Sequence, residues 1–235
     1  MGEAEAKVAL LAGASGLAGS HLLSALLAAP DFVRVYAVTR RALGREHARL
    51  ANRIVQFDRL ESQLKGLACH TAFCCLGAPF RGSGPGATAR KIDVEYVLAF
   101  ARAAKAAQAQ RFVLLSCVGA DSDARSAHSR AKQESEEALE ALDFPSLDIL
   151  QPGPLLGVRR EMPVSELARM LVSLSITPFL FGPRESYRGI SARTVAAAML
   201  GAARSGRRGV YRYTYSAIKA LALSAAPRAP RRAAT

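Results

Sequence analysis

Residues 8–19 read VALLAGASGLAG: an apolar run that breaks into three glycines, Gly13, Gly16 and Gly19, and then turns helical in pattern. This is the strand–turn–helix on which a dinucleotide docks its pyrophosphate. Gly13 permits the tight turn off the strand, Gly16 lets backbone N–H groups approach the phosphates, and Gly19 lets helix and strand pack closely. The helix N-terminus adds unpaired N–H groups and a partial positive charge. A glycine-rich turn alone is weak, and its place directly after the first apolar strand gives it meaning.

Outward from this turn, short apolar strands alternate with helix-length segments, at 8–12, 33–38, 54–57, 71–76, 112–116 and 147–150. Helical patterns fill 17–29, 88–108 and 125–142. That alternation predicts an α/β fold with a doubly wound, Rossmann-like parallel sheet. After Pro152-Gly153 the pattern loosens, with helices expected over 164–175 and 191–204 and a strand over 209–215. One domain over 1–225 is expected, with 151–225 as a small C-terminal appendage on the substrate side and 226–235 as a disordered basic tail.

The chain has 235 residues, enough for a full core, and a formal net charge of +13. Its basic residues are scattered and no recognition motif accompanies them, so neither specific nucleic-acid binding nor a membrane partner is expected. Cys69, Cys74, Cys75 and Cys117 form no CxxC pair and read as small apolar residues of a reducing compartment, with no metal site. The opening MGEAEA is acidic, unlike a signal peptide, and the reading is a soluble cytoplasmic protein.

In a doubly wound sheet, ligands bind beyond the carboxyl ends of the strands. After the second strand stand Thr39, Arg40 and Arg41, where an NAD site would place a carboxylate. A guanidinium fork matches phosphate oxygens, so the arginines point to a 2′-phosphate and to NADP(H). Asp58 follows the third strand and could meet the adenine edge. Leu76 and Gly77 follow the fourth and would pass beneath the nicotinamide ribose. The glycine-dense loop 77–86 could close over bound cofactor as a lid.

The phrases GASGLAG, TRRAL, AFCCLGAPF, RKIDVEYV, FVLLSCVGAD and LQPGPLL together resemble the atypical short-chain dehydrogenase/reductases, in the group related to the Tat-interacting protein. The likeness runs from about Lys7 to Gly157. The resemblance implies an NADP(H) site in which Ser15, Gly16, Leu17 and Ala18 contact phosphate and Arg40 and Arg41 hold the 2′-phosphate. Leu76 and Gly77 would line the ribose, and Leu155 would border the nicotinamide. It also admits a homodimer built on paired long helices.

That family carries a Tyr-x-x-x-Lys pair on the helix after the fifth strand, with a serine upstream. Here Lys132 occupies the lysine position, His128 stands four residues before it in place of tyrosine, and Ser116 keeps the serine spacing. Lys132 would hold the ribose and Ser116 would orient the substrate oxygen. Histidine titrates near pH ~6.5, and a neighbouring lysine disfavours its cation, so His128 is expected neutral at pH 7 and a weak acid for carbonyl reduction. Cys117 lacks a recognisable His-Asp set to orient it as a nucleophile. Asp93 and Tyr96 match a family pattern that packing or a subunit interface explains equally, and His21, His47 and His70 read as structural. Three functions remain open: an oxidoreductase for an unknown carbonyl or alcohol, a non-catalytic NADPH-binding regulator, and a nucleotide-sugar epimerase or dehydratase.

Overall fold

The computed structural model of the chain describes residues 6–78, 86–120, 126–157 and 182–225. Its opening stretch forms β1 (Lys7–Ala12) and α1 (Leu17–Ala28) on either side of the glycine turn. Successive residues of a strand point to opposite faces, and both faces of β1 are apolar: Ala9 and Leu11 enter one core, Leu10 and Ala12 the other. A strand buried on both sides belongs at the centre of a helix-covered parallel sheet.

Around β1 the sheet adds β2 (Phe32–Thr39), β3 (Leu50–Ile54), β4 (Thr71–Cys74), β5 (Arg111–Leu115) and β6 (Ser146–Leu150). Two short strands, β7 (Leu155–Leu156) and β8 (Ile190–Ser191), pair with each other, and β9 (Gly209–Tyr213) returns to the main sheet. The seven-stranded order is β3-β2-β1-β4-β5-β6-β9, parallel throughout. The expected doubly wound α/β fold is present. Its order reverses beside β1, which places the crevice between the ends of β1 and β4.

One face is covered by α1 together with α6 (Ala192–Arg204) and α7 (Tyr215–Ser224). The other carries α2 (Leu60–Gln63), α4 (Tyr96–Ala106) and α5 (Ala127–Glu140). Immediately before α4, α3 (Gly86–Arg90) leads into a π-helical turn over Lys91–Glu95. The sequence pattern shows this stretch only as one long helix.

The third strand lies at Leu50–Ile54, upstream of the expected 54–57. It is the edge strand and half exposed, so its apolar pattern is weak. The stronger apolar signal of Val55 and Phe57 belongs to the approach to a 3-10 turn at Phe57–Arg59. The chain after Gln151 does more than cover the strand ends, since β9 completes the sheet and α6 packs into the core on α1. The expected helix over 164–175, residues 79–85 of the glycine-dense loop and the tail 226–235 lie outside the described residues.

Candidate active site

Beyond the ends of β1, β2 and β4 lies a cleft of about 250 Å³. Its floor is the glycine turn. Gly13 has φ +82°, and a Cβ there would lie 2.5 Å from the Cys75 carbonyl oxygen. A Cβ on Gly19 would come within 2.0 Å of the Gly13 carbonyl oxygen, so the helix can sit this close only with glycine. Gly16 starts α1 with no side-chain cap and no acidic residue in the first turn. The leading N–H groups of a helix have no intrahelical partner, so this uncapped end suits an anion. Ser15 lies exposed in the turn and lines the cleft with Gly13 and Gly16, whereas Ala18 and Gly19 are buried behind it.

The second wall comes from Val38, Thr39 and Arg40. Asn52 braces the loop that follows: its carboxamide oxygen accepts from the Leu43 N–H at 2.9 Å, and its nitrogen donates to Thr39 Oγ1 at 2.7 Å. Arg40 lines the cleft, and Arg41 is exposed beside it. No aspartate or glutamate lines the cleft among the described residues. Phe57 and Tyr96, with ring centroids 5.2 Å apart, close one end. Asp58 does not line this cleft; its carboxylate is exposed and pairs with Lys91 at 2.5 Å and with the Tyr96 hydroxyl at 3.3 Å. Leu76 and Gly77 line the far end. Leu155 packs against the core of the α1 face, and a Cβ on the nearby Gly157 would lie 2.9 Å from the tip of the Leu17 side chain.

Under Gly77 the buried carboxylate of Asp93 gathers two cations. Its Oδ1 is 3.1 Å from Lys132 Nζ, and its Oδ2 is 3.0 Å from His128 Nδ1. Oδ1 also accepts from the Ala78 N–H at 3.1 Å. Lys132, itself buried, donates to the Leu76 carbonyl at 2.9 Å. The π turn carries Asp93 to this position, and Ser135 anchors it by donating to the Asp93 carbonyl. On α5, Ser126 caps the helix by accepting from the Ser129 N–H at 3.0 Å, which fixes the turn that bears His128. Burial alone would raise the Asp93 carboxyl, but the His128 hydrogen bond and the Lys132 charge hold it below the usual carboxylate range.

His128 departs from expectation. Its hydrogen bonds to Asp93 and Cys117 push its pKa up to about 9, so the ring is a cation at neutral pH. Lys132 does not neutralise it, because the carboxylate stands between the two cations.

The serine expectation also changes. Ser116 is buried and donates to Glu136, which further accepts from Gln151 at 2.9 Å and pairs with Arg212 at 3.3 Å. It faces this internal network. The next residue, Cys117, is half-buried. Of the isolated histidines, His70 accepts from the Val8 N–H at 3.0 Å, a structural role.

A parallel sheet in this order, with a glycine turn into the central helix, defines the doubly wound, Rossmann-like dinucleotide-fold class. The chain belongs to the NAD dependent epimerase/dehydratase family, which it matches over residues 9–143. It is 36% identical to Protein HTATIP2 of Rattus norvegicus, over 66% of this chain and 65% of that protein. It is 37% identical to the mitochondrial protein FMP52 of Saccharomyces cerevisiae, over 64% of this chain and 66% of that protein. The match thus spans a little under two thirds of each of these relatives. The enzyme WbmH of Bordetella bronchiseptica, solved with NAD+, superposes with a TM-score of 0.65 at 17% identity, covering 92% of this chain and 79% of that one. A UDP-galactose 4-epimerase gives 0.67 at 17% identity, over 88% and 76%. These solved structures bear on the fold alone.

The group suggested by the sequence phrases is supported by these relatives. The cytoplasmic reading is not. FMP52 proteins of Saccharomyces cerevisiae, Emericella nidulans and Aspergillus terreus are named as mitochondrial, and the acidic opening MGEAEA does not decide the compartment.

Proposed function

We propose that this protein binds NADP(H) in the cleft and reduces or oxidises a carbonyl or alcohol substrate, with His128 in the place of the tyrosine of the resembling family. The observation that carries the reading is one cleft that presents an uncapped helix N-terminus and Arg40, has no carboxylate among its described lining residues, and runs to Gly77, beside which Lys132 and Asp93 lie, with His128 paired to Asp93. The first-turn N–H groups after Gly16 would hold the pyrophosphate, Arg40 with Arg41 the 2′-phosphate, and Leu76 and Gly77 the nicotinamide ribose. Bound there, a nicotinamide supplies or accepts a hydride.

The chain's own residues supply the proton. As a cation at neutral pH, His128 is charged to donate to an oxygen that develops negative charge, and Asp93 keeps the ring oriented through Nδ1. Lys132 spends two of its three N–H donors on Asp93 and the Leu76 carbonyl, which fixes its ammonium at the cleft's far end.

Titration with NADPH and NADH, followed by NADPH oxidation against a carbonyl panel, tests the proposal. Arg40→Ala is expected to weaken NADPH by about 10- to 100-fold, in line with the loss of a charged hydrogen bond, and to leave NADH nearly unchanged. Turnover should be level through neutral pH, fall above about pH 9 as His128 loses its proton, and vanish in His128→Ala. Turnover that appears only in His128→Tyr would favour a non-catalytic NADPH-binding protein. The family description supports a second reading, epimerisation or dehydration of a nucleotide sugar; conversion of UDP-glucose without net NADPH consumption would establish it.

A further inference from the structure

From the end of β2 to the end of β3 the chain carries Arg40, Arg41, Arg45, Arg49 and Arg53, and they divide by what holds them. Arg45 donates to Ser24 Oγ of α1 at 2.9 Å, and Arg49 donates to the carbonyls of Ala29 at 2.8 Å and Phe32 at 3.0 Å. The Arg53 guanidinium lies 5.6 Å from the centroid of the Tyr36 ring. These three are committed to the fold. Arg40 and Arg41 are exposed, and among the described residues neither side chain has a hydrogen-bond or ion-pair partner.

The loop that carries this pair is nevertheless fixed, and one side chain fixes it. Asn52 lies on the edge strand β3, opposite Ala37. Its Oδ1 accepts from the Leu43 N–H at 2.9 Å, and its Nδ2 donates to Thr39 Oγ1 at 2.7 Å and to the Ala37 carbonyl at 3.1 Å. The two loop anchors, Thr39 and Leu43, flank the arginines. Each has a second hold: the Thr39 carbonyl accepts from the Val55 N–H at 2.9 Å, and Leu43 packs against the core of the α1 face. A carboxamide offers both a donor and an acceptor, which this bridge needs. A leucine of similar shape would leave the Leu43 N–H without its acceptor, and an aspartate would turn an oxygen toward the Ala37 carbonyl. Without the bridge, two adjacent like charges on a short loop repel each other and extend into solvent. With it, the ordering of the pair is complete before a ligand arrives, and a binding loop held in advance loses less entropy on association.

We propose that Asn52 is the positioning residue that gives this protein its preference for a dinucleotide with a 2′-phosphate, by holding the Arg40–Arg41 loop ready for that phosphate. This role rests on the assignment of the two arginines to the 2′-phosphate, and it adds the residue that makes them selective. Asn52 acts through the loop and not by touching the ligand.

The test titrates the full chain with NADPH and with NADH, in the wild type and in Asn52→Ala. The ratio of NADPH to NADH affinity should fall about tenfold in the variant, within the range for residues that act on one site. In a chain that already carries Arg40→Ala and Arg41→Ala, adding Asn52→Ala should leave the ratio unchanged, because the bridge has nothing left to position. A purely structural asparagine would weaken both nucleotides alike, and that result overturns the proposal. Should Asn52→Ala fail to fold, amide exchange in the wild type decides: the Leu43 N–H should exchange slowly in the free protein and stay so with NADPH. Fast exchange that slows only when NADPH is added would mean that the nucleotide orders the loop, and would reject the role of Asn52. The two assignments fail differently. A wild-type preference for NADPH that survives Asn52→Ala rejects this one alone, whereas a wild type with no such preference rejects the 2′-phosphate assignment and this one with it.

Discussion

His128 shows how far a side chain's chemistry depends on partners distant in sequence. Its spacing from Lys132 is legible in the sequence and points to a neutral ring. Asp93, 35 residues away, reverses that outcome by standing between the two cations. The sequence names all three residues and cannot pair them, because the pairing depends on how two helices meet. With its native pKa raised to about 9, protonated His128 contributes stability that is complete below its unfolded value near 6.5 and is lost as pH rises toward 9. After allowance for solvent screening, that contribution is on the order of 2 kcal/mol. Denaturant titrations at pH 6 and pH 9.5 should differ by about this amount, and NMR should place the His128 titration near pH 9. In Asp93→Asn the His128 titration should drop toward the free value. The same change leaves Lys132 buried without its counter-charge, so a stability loss of about 3–5 kcal/mol is expected.

At the scale of elements, the glycine turn is the most legible part of the chain. Gly13 makes the tight turn and Gly19 the close helix–strand approach that their positions suggest, and the contact between Gly19 and Gly13 fixes how closely α1 lies on β1. An alanine at 19 would place its Cβ on a backbone oxygen, which no side-chain rotation relieves. Gly19→Ala should therefore lower stability by about 2–3 kcal/mol, within the range for overpacking, and abolish the proposed dinucleotide binding; thermal melts and titration with NADPH and NADH read the two effects. The π turn over Lys91–Glu95 was not legible. An Ala-rich run reads as uninterrupted helix, and a single widened turn leaves no compositional mark. Such turns often occur at functional sites, and here it presents Asp93 to α5. The edge strand β3 was misplaced for the opposite reason, since half its surface faces solvent and offers little alternation to read.

Over the whole molecule, the sheet and its parallel order were legible from alternating strands and helices, but the bond between its last third and the rest was not. Arg111 opens β5 and pairs with the buried Asp148 of β6, while also donating to the Ala202 carbonyl at the end of α6 and to the Arg207 carbonyl before β9. Asp148 in turn accepts from the Tyr213 hydroxyl of β9 at 2.8 Å. Nothing in the pattern around an arginine at a strand start predicts partners near residue 205. Arg111→Met removes one charge of a buried pair, and a loss of about 3–5 kcal/mol is expected by denaturant unfolding. Tyr213→Phe, which removes only a hydrogen bond, should cost about 1–2 kcal/mol.

The order of synthesis gives this knot a further meaning. β6 is made some 60 residues before β9, the strand that covers its edge. Until Tyr213 leaves the ribosome, a growing chain carries an open β6 edge, with Asp148 short of its hydroxyl partner and Arg111 short of two carbonyls. The cofactor cleft at the front of the chain can take shape early, but the sheet closes last. Closure of the β6 edge thus waits for β9, and until then that edge offers unpaired N–H and C=O groups to any other strand.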